Sequence, residues 1–433
     1  MRILALTSRL EEKLLGARHR RNARAEAVSS RIVGDVRRRG DAALFAWTRR
    51  LDDIRLTPKA VWVNASERRA AARAIPKELR AALGHAARNI RRVAEQQLPR
   101  SWSIAVEPGV RVGQRVSAID TIGCYIPGGR FSLVSTLLMT AIPAQVAGVR
   151  RILVACPHPN AALLAAAEML GLEEIAHIGG AQAIAALAYG TRSVPRVDKI
   201  FGPGNRFVTA AKRLVSADCA IDLLAGPTEL LVIATNGVTS GVTNGVTNGA
   251  ASGNAAYIAA DLLAQAEHDP DAVALLVTTS RKLATAVRAA VAEQLSRLPD
   301  ANPAKRSLAE KGGIVLARDS SAAVRFANRF APEHLSIPGG QAALAEKLSS
   351  AGSVFLGPWS AQSIGDYASG TNHVLPTSGG ARTRGGLSAA DFVRCTSVQQ
   401  VSAAGLRSLS PVVAALADAE GLVAHWRAVE VRQ

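Results

Sequence analysis

Apolar positions in the first hundred residues recur at spacings of three and four, as in Ile32-Val33-Val36 and Ala43-Leu44-Trp47, within Ala- and Arg-rich stretches. That period gathers apolar side chains on one helix face, so residues 1–100 are expected to be helical. Beyond them the pattern changes. Short apolar runs at Arg151–Ala155, Leu230–Ala234, Ala274–Thr278 and Gly313–Leu316 predict strands. Helical stretches at Ala161–Leu170, Ala181–Ala188 and Ala255–Glu267 lie among them. Strands alternating with helices imply an α/β fold with parallel, doubly wound sheets. Ligands in such folds are expected beyond the carboxyl ends of the strands.

Two segments stand apart. The uncharged run Phe131–Val149 is long enough to raise the question of a membrane span, but Ser132, Ser135, Thr136, Thr140, Pro143 and Gln145 interrupt it. It reads as a buried helix. Gly237–Gly249 reads GVTSGVTNGVTNG, with Asn-Gly turn formers repeated. It is too short for a solenoid and reads as a flexible surface insertion between a strand and the helix that follows.

The 433 residues suffice for two or three domains with full cores, and a charged fraction of 20% beside a hydrophobic fraction of 48% excludes a disordered chain. Aromatics are only 4%, so the core is built mainly from Ala, Val, Leu and Ile. The net charge of +18 raises nucleic acid as a partner. The basic residues are dispersed, however. The densest group, Arg18 to Arg24 with Arg37-Arg38-Arg39 after it, lacks interleaved aromatics and any nucleic-acid motif. It reads as a solvated surface, and neither nucleic acid nor membrane is an expected partner. Cys124, Cys156, Cys219 and Cys395 are too scattered for a thiolate zinc site or a disulfide framework. Reduced thiols and the absence of a secretory apolar region suggest the cytoplasm. Cys124 reads as a packed thiol.

The chain has 8 histidines, and four of them (His268, His334, His373 and His425) sit in short polar signatures with carboxylates and amides. Imidazole nitrogen and carboxylate oxygen suit a zinc-like ion. Gln265 and His268, three apart near a predicted helix end, are placed to reach one ion from one face. Asp366 and His373 fall in a glycine-bearing stretch, poor core material and good site material. Glu333-His334 follows Ala331-Pro332, where Pro disfavours helix before it and can begin one. Adjacent acid and imidazole can act as two general bases. Three glycine-bearing loops, at Tyr125–Gly129, Gly179–Gln182 and Phe201–Asn205, can approach a dinucleotide, although none has the G-x-G-x-x-G spacing.

Together these signatures resemble the histidinol dehydrogenase family. The resemblance rests on YIPGG at Tyr125–Gly129, GGAQAIAALAYGT at Gly179–Thr191, VDKIFGPGN at Val197–Asn205 and AGPTE at Ala225–Glu229. It continues with DLLAQAEHDP at Asp261–Pro270, APEHL at Ala331–Leu335, GDYASGTNHVLPT at Gly365–Thr377 and EGLVAH at Glu420–His425. It spans the whole chain apart from the repeat.

The resemblance implies a zinc- and NAD-dependent enzyme that oxidises L-histidinol through a bound aldehyde to L-histidine, the last step of histidine biosynthesis. It implies a homodimer with one Zn2+ per subunit. Gln265, His268, Asp366 and His425 match the zinc ligands, with His425 coming from the second subunit. His334 matches the base for the alcohol proton and Glu333 the residue that activates water. Thr228, Glu420 and His373, with Glu333, His334 and the four zinc ligands, match the substrate contacts; the family usually has Ser where Thr228 stands. Tyr125, Gln182 and Asn205 match the dinucleotide positions. The implied architecture is two Rossmann-like domains, one inserted in the other: an N-terminal helical segment (1–22), a discontinuous α/β domain (23–123 plus 228–378, carrying an insertion at 237–253), a Rossmann-like NAD-binding domain (124–227) and a C-terminal dimerisation segment (379–433). An alternative is a related zinc/NAD dehydrogenase of another small polar alcohol such as a sulfonated diol, against which the carboxylate of Glu420 argues.

Overall fold

The structure is a computed structural model that describes residues 1–18, 22–128, 133–235, 255–339 and 342–433. The repeat insertion at 237–253 lies outside the described residues.

Two parallel sheets organise the chain. The first places its strands in the order Ile175–Ala176, Arg151–Ala155, Thr121–Tyr125, Lys199–Phe201, Ala220–Ile221. Numbered by sequence within the sheet, that order is 3-2-1-4-5. The second runs Arg2–Ala5, Gly313–Leu316, Val273–Thr278, Glu229–Ala234, His334–Ile337, Ser353–Leu356. Its last five strands repeat the winding, and Arg2–Ala5 is added at the edge. The reading of residues 1–100 as wholly helical therefore fails at the start, where the short strand Arg2–Ala5 pairs in parallel with Gly313–Leu316 at the sheet edge.

Both faces of each sheet are covered, which explains the unbroken apolar runs. Along Glu229–Ala234 every residue is buried. Leu230 and Val232 pack with helices Ala255–Ala266 and Arg281–Ser296, while Leu231 and Ile233 point the other way onto helix Ser320–Phe330. The first sheet is covered similarly. Ile122 and Cys124 face helices Val134–Ala147 and Ala161–Met169, and Leu153, Ala155 and Ile200 face Gly180–Tyr189 and Arg206–Val215. The helices within 23–97 also pack here, through Ile32, Val36 and Leu44 on one face and Leu83 and Ile90 on the other. Sequence grouped them with the second sheet; their apolar stripes belong to the first. No helix among the described residues is long and apolar enough to cross a membrane.

A third sheet, unforeseen from sequence, is antiparallel. Val110–Ala118 pairs with Trp102–Glu107 on one side and with Val393–Val401 on the other. Trp102, Ile104, Val106 and Val398 are about half exposed on it. Helices Ala403–Ala419 and Val423–Glu430 follow, with Val412, Leu416, Val423 and Val431 exposed.

Candidate functional site

The candidate residues of the second sheet gather at the amino ends of its strands, the opposite end from the one the doubly wound rule leads one to expect. Thr228 immediately precedes strand Glu229–Ala234. Glu333 precedes, and His334 begins, the neighbouring strand His334–Ile337, with His334 in register with Leu230. The two strands flank the point where strand order reverses. Pro332 starts no helix. Helix Ser320–Phe330 ends at Ala331 in a left-handed conformation (φ 47°), and the chain enters the strand directly.

Three side chains form a relay there. Gln265, in the last turn of helix Ala255–Ala266, donates through Nε2 to the Thr228 hydroxyl. Thr228 Oγ1 donates to Glu333 Oε2 at 2.5 Å. The Glu229 amide donates to the same oxygen at 2.7 Å. The hydroxyl has one proton, and giving it to the carboxylate obliges it to accept from the amide. Gln265 is thereby oriented, and its Oε1, buried and without a hydrogen bond, is left as a bare acceptor. A buried unpaired carbonyl is costly unless something cationic or donating meets it.

His334 is held through Nδ1 by the Glu229 carbonyl at 3.1 Å. Its Nε2 has no hydrogen bond; Asp366 Oδ1 stands 3.6 Å away, an attraction of charges and too long for a hydrogen bond. Burial opposes the charged imidazole, but the Glu333 and Asp366 carboxylates outweigh it and hold the pKa up to about 10. Burial likewise raises Asp366, yet His334 and the nearby His373 and His268 draw its carboxyl below the usual range. Asp366 lies in the short helix Gln362–Tyr367, a segment read from sequence as a loop. The preceding Gly365 lets that helix rest on Phe355, whose ring an added Cβ would meet at 2.6 Å. His373 accepts or donates at Thr136 Oγ1 (3.2 Å) and holds the Asp366 carbonyl through Nδ1 at 3.1 Å, and burial pushes its pKa down.

His268 lies past the helix end and is exposed, so it does not share a helix face with Gln265. Glu420 and His425 lie at the exposed C-terminal helices and make no hydrogen bond or ion pair with the other candidates within this subunit. Among the described residues no three His, Cys, Asp or Glu side chains converge as a metal site. Gln265 falls outside those residue types, and its Oε1 is a bare acceptor.

The dinucleotide candidates stand at the carboxyl ends of the first sheet. Tyr125 ends its strand and is buried, its hydroxyl accepting from the Gly180 amide at 3.1 Å. Gln182, in the first turn of helix Gly180–Tyr189, donates to Asp52 Oδ2 at 2.9 Å. Asn205 caps helix Arg206–Val215, accepting from the Phe207 amide at 2.9 Å. Gly202 (φ 109°) is required where it stands, since a Cβ would lie 2.1 Å from the Tyr125 carbonyl oxygen. Cys124 is a packed thiol, pushed up to about 12 by burial.

Two residues of this neighbourhood escaped sequence reading. Glu229 was seen only as part of a motif, and Arg18 as surface. In the structure their side chains form a buried ion pair, 3% and 2% exposed.

The family model described as Histidinol dehydrogenase matches residues 16–433. A histidinol dehydrogenase of Pectobacterium atrosepticum is 44% identical over 414 residues, covering 94% of this chain and 90% of that protein. One from Methanothermobacter thermautotrophicus is 46% identical over 401 residues, covering 91% and 90%. The crystal structure of histidinol dehydrogenase from Elizabethkingia anophelis superposes with a TM-score of 0.91 at 36% identity, covering 100% of this chain and 98% of that one. The chain belongs to the histidinol dehydrogenase family.

Proposed function

We propose that the protein oxidises L-histidinol to L-histidine in two successive NAD-dependent steps, in histidine biosynthesis in the cytoplasm, with Glu333 and His334 doing the proton chemistry. The observation that carries this reading is the relay from Gln265 through Thr228 to Glu333, which leaves the Gln265 carbonyl oxygen bare and ends on a carboxylate 3.6 Å from the buried His334 imidazole, itself 3.6 Å from Asp366. An amine- and imidazole-bearing substrate suits such a place.

His334 takes the hydroxyl proton of the alcohol at Nε2, because Nδ1 is committed to the Glu229 carbonyl and fixes the tautomer. Glu333, steadied by the Thr228 hydroxyl and the Glu229 amide, takes a proton from water as it adds to the aldehyde. Zinc and NAD, when bound, supply a template for the substrate nitrogens and an acceptor for hydride. The residues present fit both. Gln265, through its bare Oε1, with Asp366 and His268, would hold the metal together with His425 of a second copy. A cation beside Asp366 also relieves the attraction that keeps His334 charged. Thr228, His373 and Glu420 would line the substrate, and Tyr125, Gln182 and Asn205 the dinucleotide.

A homodimer is supported by large apolar side chains left exposed on the C-terminal helices and at Trp359, Ile364 and Tyr367, close to Asp366 in sequence. Nothing favours a sulfonated diol, since an anionic substrate would meet Glu333 and Asp366. The test is NADH formation from L-histidinol, with and without a chelator and added zinc. Zinc-restored turnover supports the reading, and absence of NADH in the zinc-loaded dimer overturns it.

A further inference from the structure

We propose that Arg18 is a positioning residue for the reacting pair, holding in place the backbone turn from which Glu333 and His334 emerge. The proposal rests on the function inferred above. Arg18 follows helix Ser8–Gly16, far from the site in sequence. Its guanidinium has no solvent-facing role. Nε donates to Glu229 Oε1 at 2.6 Å and Nη2 to Glu229 Oε2, a two-pronged pairing. Nη1 donates to the Phe330 carbonyl and Nη2 approaches the Ala331 carbonyl at 3.4 Å. The same group lies over the Phe330 ring, 3.7 Å from its centre.

Each of those partners controls the reacting pair. Glu229 touches it by its backbone, giving its amide to Glu333 and its carbonyl to His334. Its side chain also accepts from the Ser378 amide at 3.1 Å, and the Ser378 hydroxyl donates back to the Arg18 carbonyl at 3.3 Å. Phe330 and Ala331 precede Pro332-Glu333-His334 without a break. Ala331 sits in the left-handed region (φ 47°), unfavourable for any residue with a Cβ and further disfavoured before proline. Such a conformation persists only when its surroundings impose it. Arg18 supplies that imposition: one planar cation fixes the amino end of one strand and the approach to its neighbour, and so sets where Glu333 and His334 stand relative to each other. Lys cannot reproduce it, because a single ammonium does not present this planar fork.

The experiment compares the zinc-loaded dimeric enzyme with Arg18→Lys and with the double variant Arg18→Met/Glu229→Leu. The double variant leaves neither charge buried alone, so it keeps the test open where the single change fails to fold. With L-histidinol, each folded variant is expected to lose ten- to a hundredfold in kcat while KM for L-histidinol and NAD stays within about threefold. Adding Ala331→Gly to Arg18→Lys is expected to restore part of the lost kcat, because glycine adopts the turn without help. Wild-type kcat in a folded Arg18→Lys enzyme or double variant overturns the proposal. So does a loss that appears in a folded variant as raised KM alone, or the failure of both variants to fold. If the wild-type enzyme itself makes no NADH from L-histidinol, the functional reading falls instead, and the two failures are distinguishable.

Discussion

The two parallel sheets share one winding, 3-2-1-4-5, yet present opposite ends to their candidate ligands. The first sheet offers its carboxyl ends, where Tyr125, the Gly179-Gly180 turn and the Gly202–Asn205 loop lie and where helices Val134–Ala147, Gly180–Tyr189 and Arg206–Val215 begin. The second offers its amino ends, where helices Ala255–Ala266 and Ser320–Phe330 finish. Helix starts carry partial positive charge and unpaired amides; helix ends carry partial negative charge and unpaired carbonyls. One end therefore suits an anionic pyrophosphate and the other a cation or cationic substrate. The two ends meet directly: His373, which holds the Asp366 carbonyl, also touches Thr136 in the first turn of helix Val134–Ala147, and Asn372 donates to Met139 O at 2.7 Å. Reversing one of two identical windings brings complementary polarities together without any change in topology.

The sharpest way to break this contrast is at the second sheet's reacting pair. His334→Ala is expected to lower kcat for L-histidinol by roughly a thousandfold while zinc content stays unchanged. Metal analysis beside NADH kinetics checks both halves. Unimpaired turnover would remove His334 from its role. Glu333→Gln is expected to slow oxidation of the aldehyde more than that of the alcohol, read by supplying each separately; equal losses in the two steps would contradict the division of labour.

The relay comes next. Thr228→Val removes the hydroxyl that orders Gln265 and steadies Glu333, and is expected to cost ten- to a hundredfold in kcat with weakened zinc retention. Thr228→Ser keeps the hydroxyl and should stay within about threefold of wild type. A Val variant as active as the Ser variant would show that the hydrogen-bond order is irrelevant.

At the first sheet the expected effect is smaller and of another kind. Tyr125→Phe takes away the acceptor of the Gly180 amide and loosens the glycine turn. With about 1 kcal/mol at stake, KM for NAD should rise several-fold and kcat should hardly move. A fall in kcat with unchanged KM for NAD would place Tyr125 in the wrong half of the comparison.

How much of this was legible in the sequence follows from what each residue depends on. Runs such as Leu230–Ala234 announced buried strands because both faces of the sheet are covered, and covered faces demand apolar side chains. The strands Trp102–Glu107 and Val393–Val401 are largely exposed and Val110–Ala118 between them is mostly half-buried, so no burial pattern marked them. The residue types of the site were visible, and their spacing and glycine neighbours drew attention to Gln265, Glu333, His334 and Asp366. The order of donors through Thr228 was not, because it depends on which oxygen the hydroxyl proton meets. Arg18 was least legible of all: among dispersed arginines nothing local distinguishes the one that travels to Glu229, 211 positions away. The end of the sheet that would serve was equally hidden, since strand and helix patterns read the same whichever end faces inward.

The smallest expected effect tests that choice of end. Strand Glu229–Ala234 has Thr228 at its amino end, in the relay, and Thr235 at its carboxyl end, where the chain leaves toward the repeat. Six residues of extended chain separate the two ends by about 20 Å. Removing Gly237–Gly249 should therefore leave kcat and both KM values within about twofold of wild type, even though helix Ala255–Ala266, which delivers Gln265, begins beyond the deletion. That helix is anchored by Ile258, Ala259 and Leu262 in the core, so Gln265 keeps its place independently of the connection. A tenfold loss of turnover would mean that the carboxyl end of the second sheet also takes part, and the contrast between the two ends would have to be abandoned.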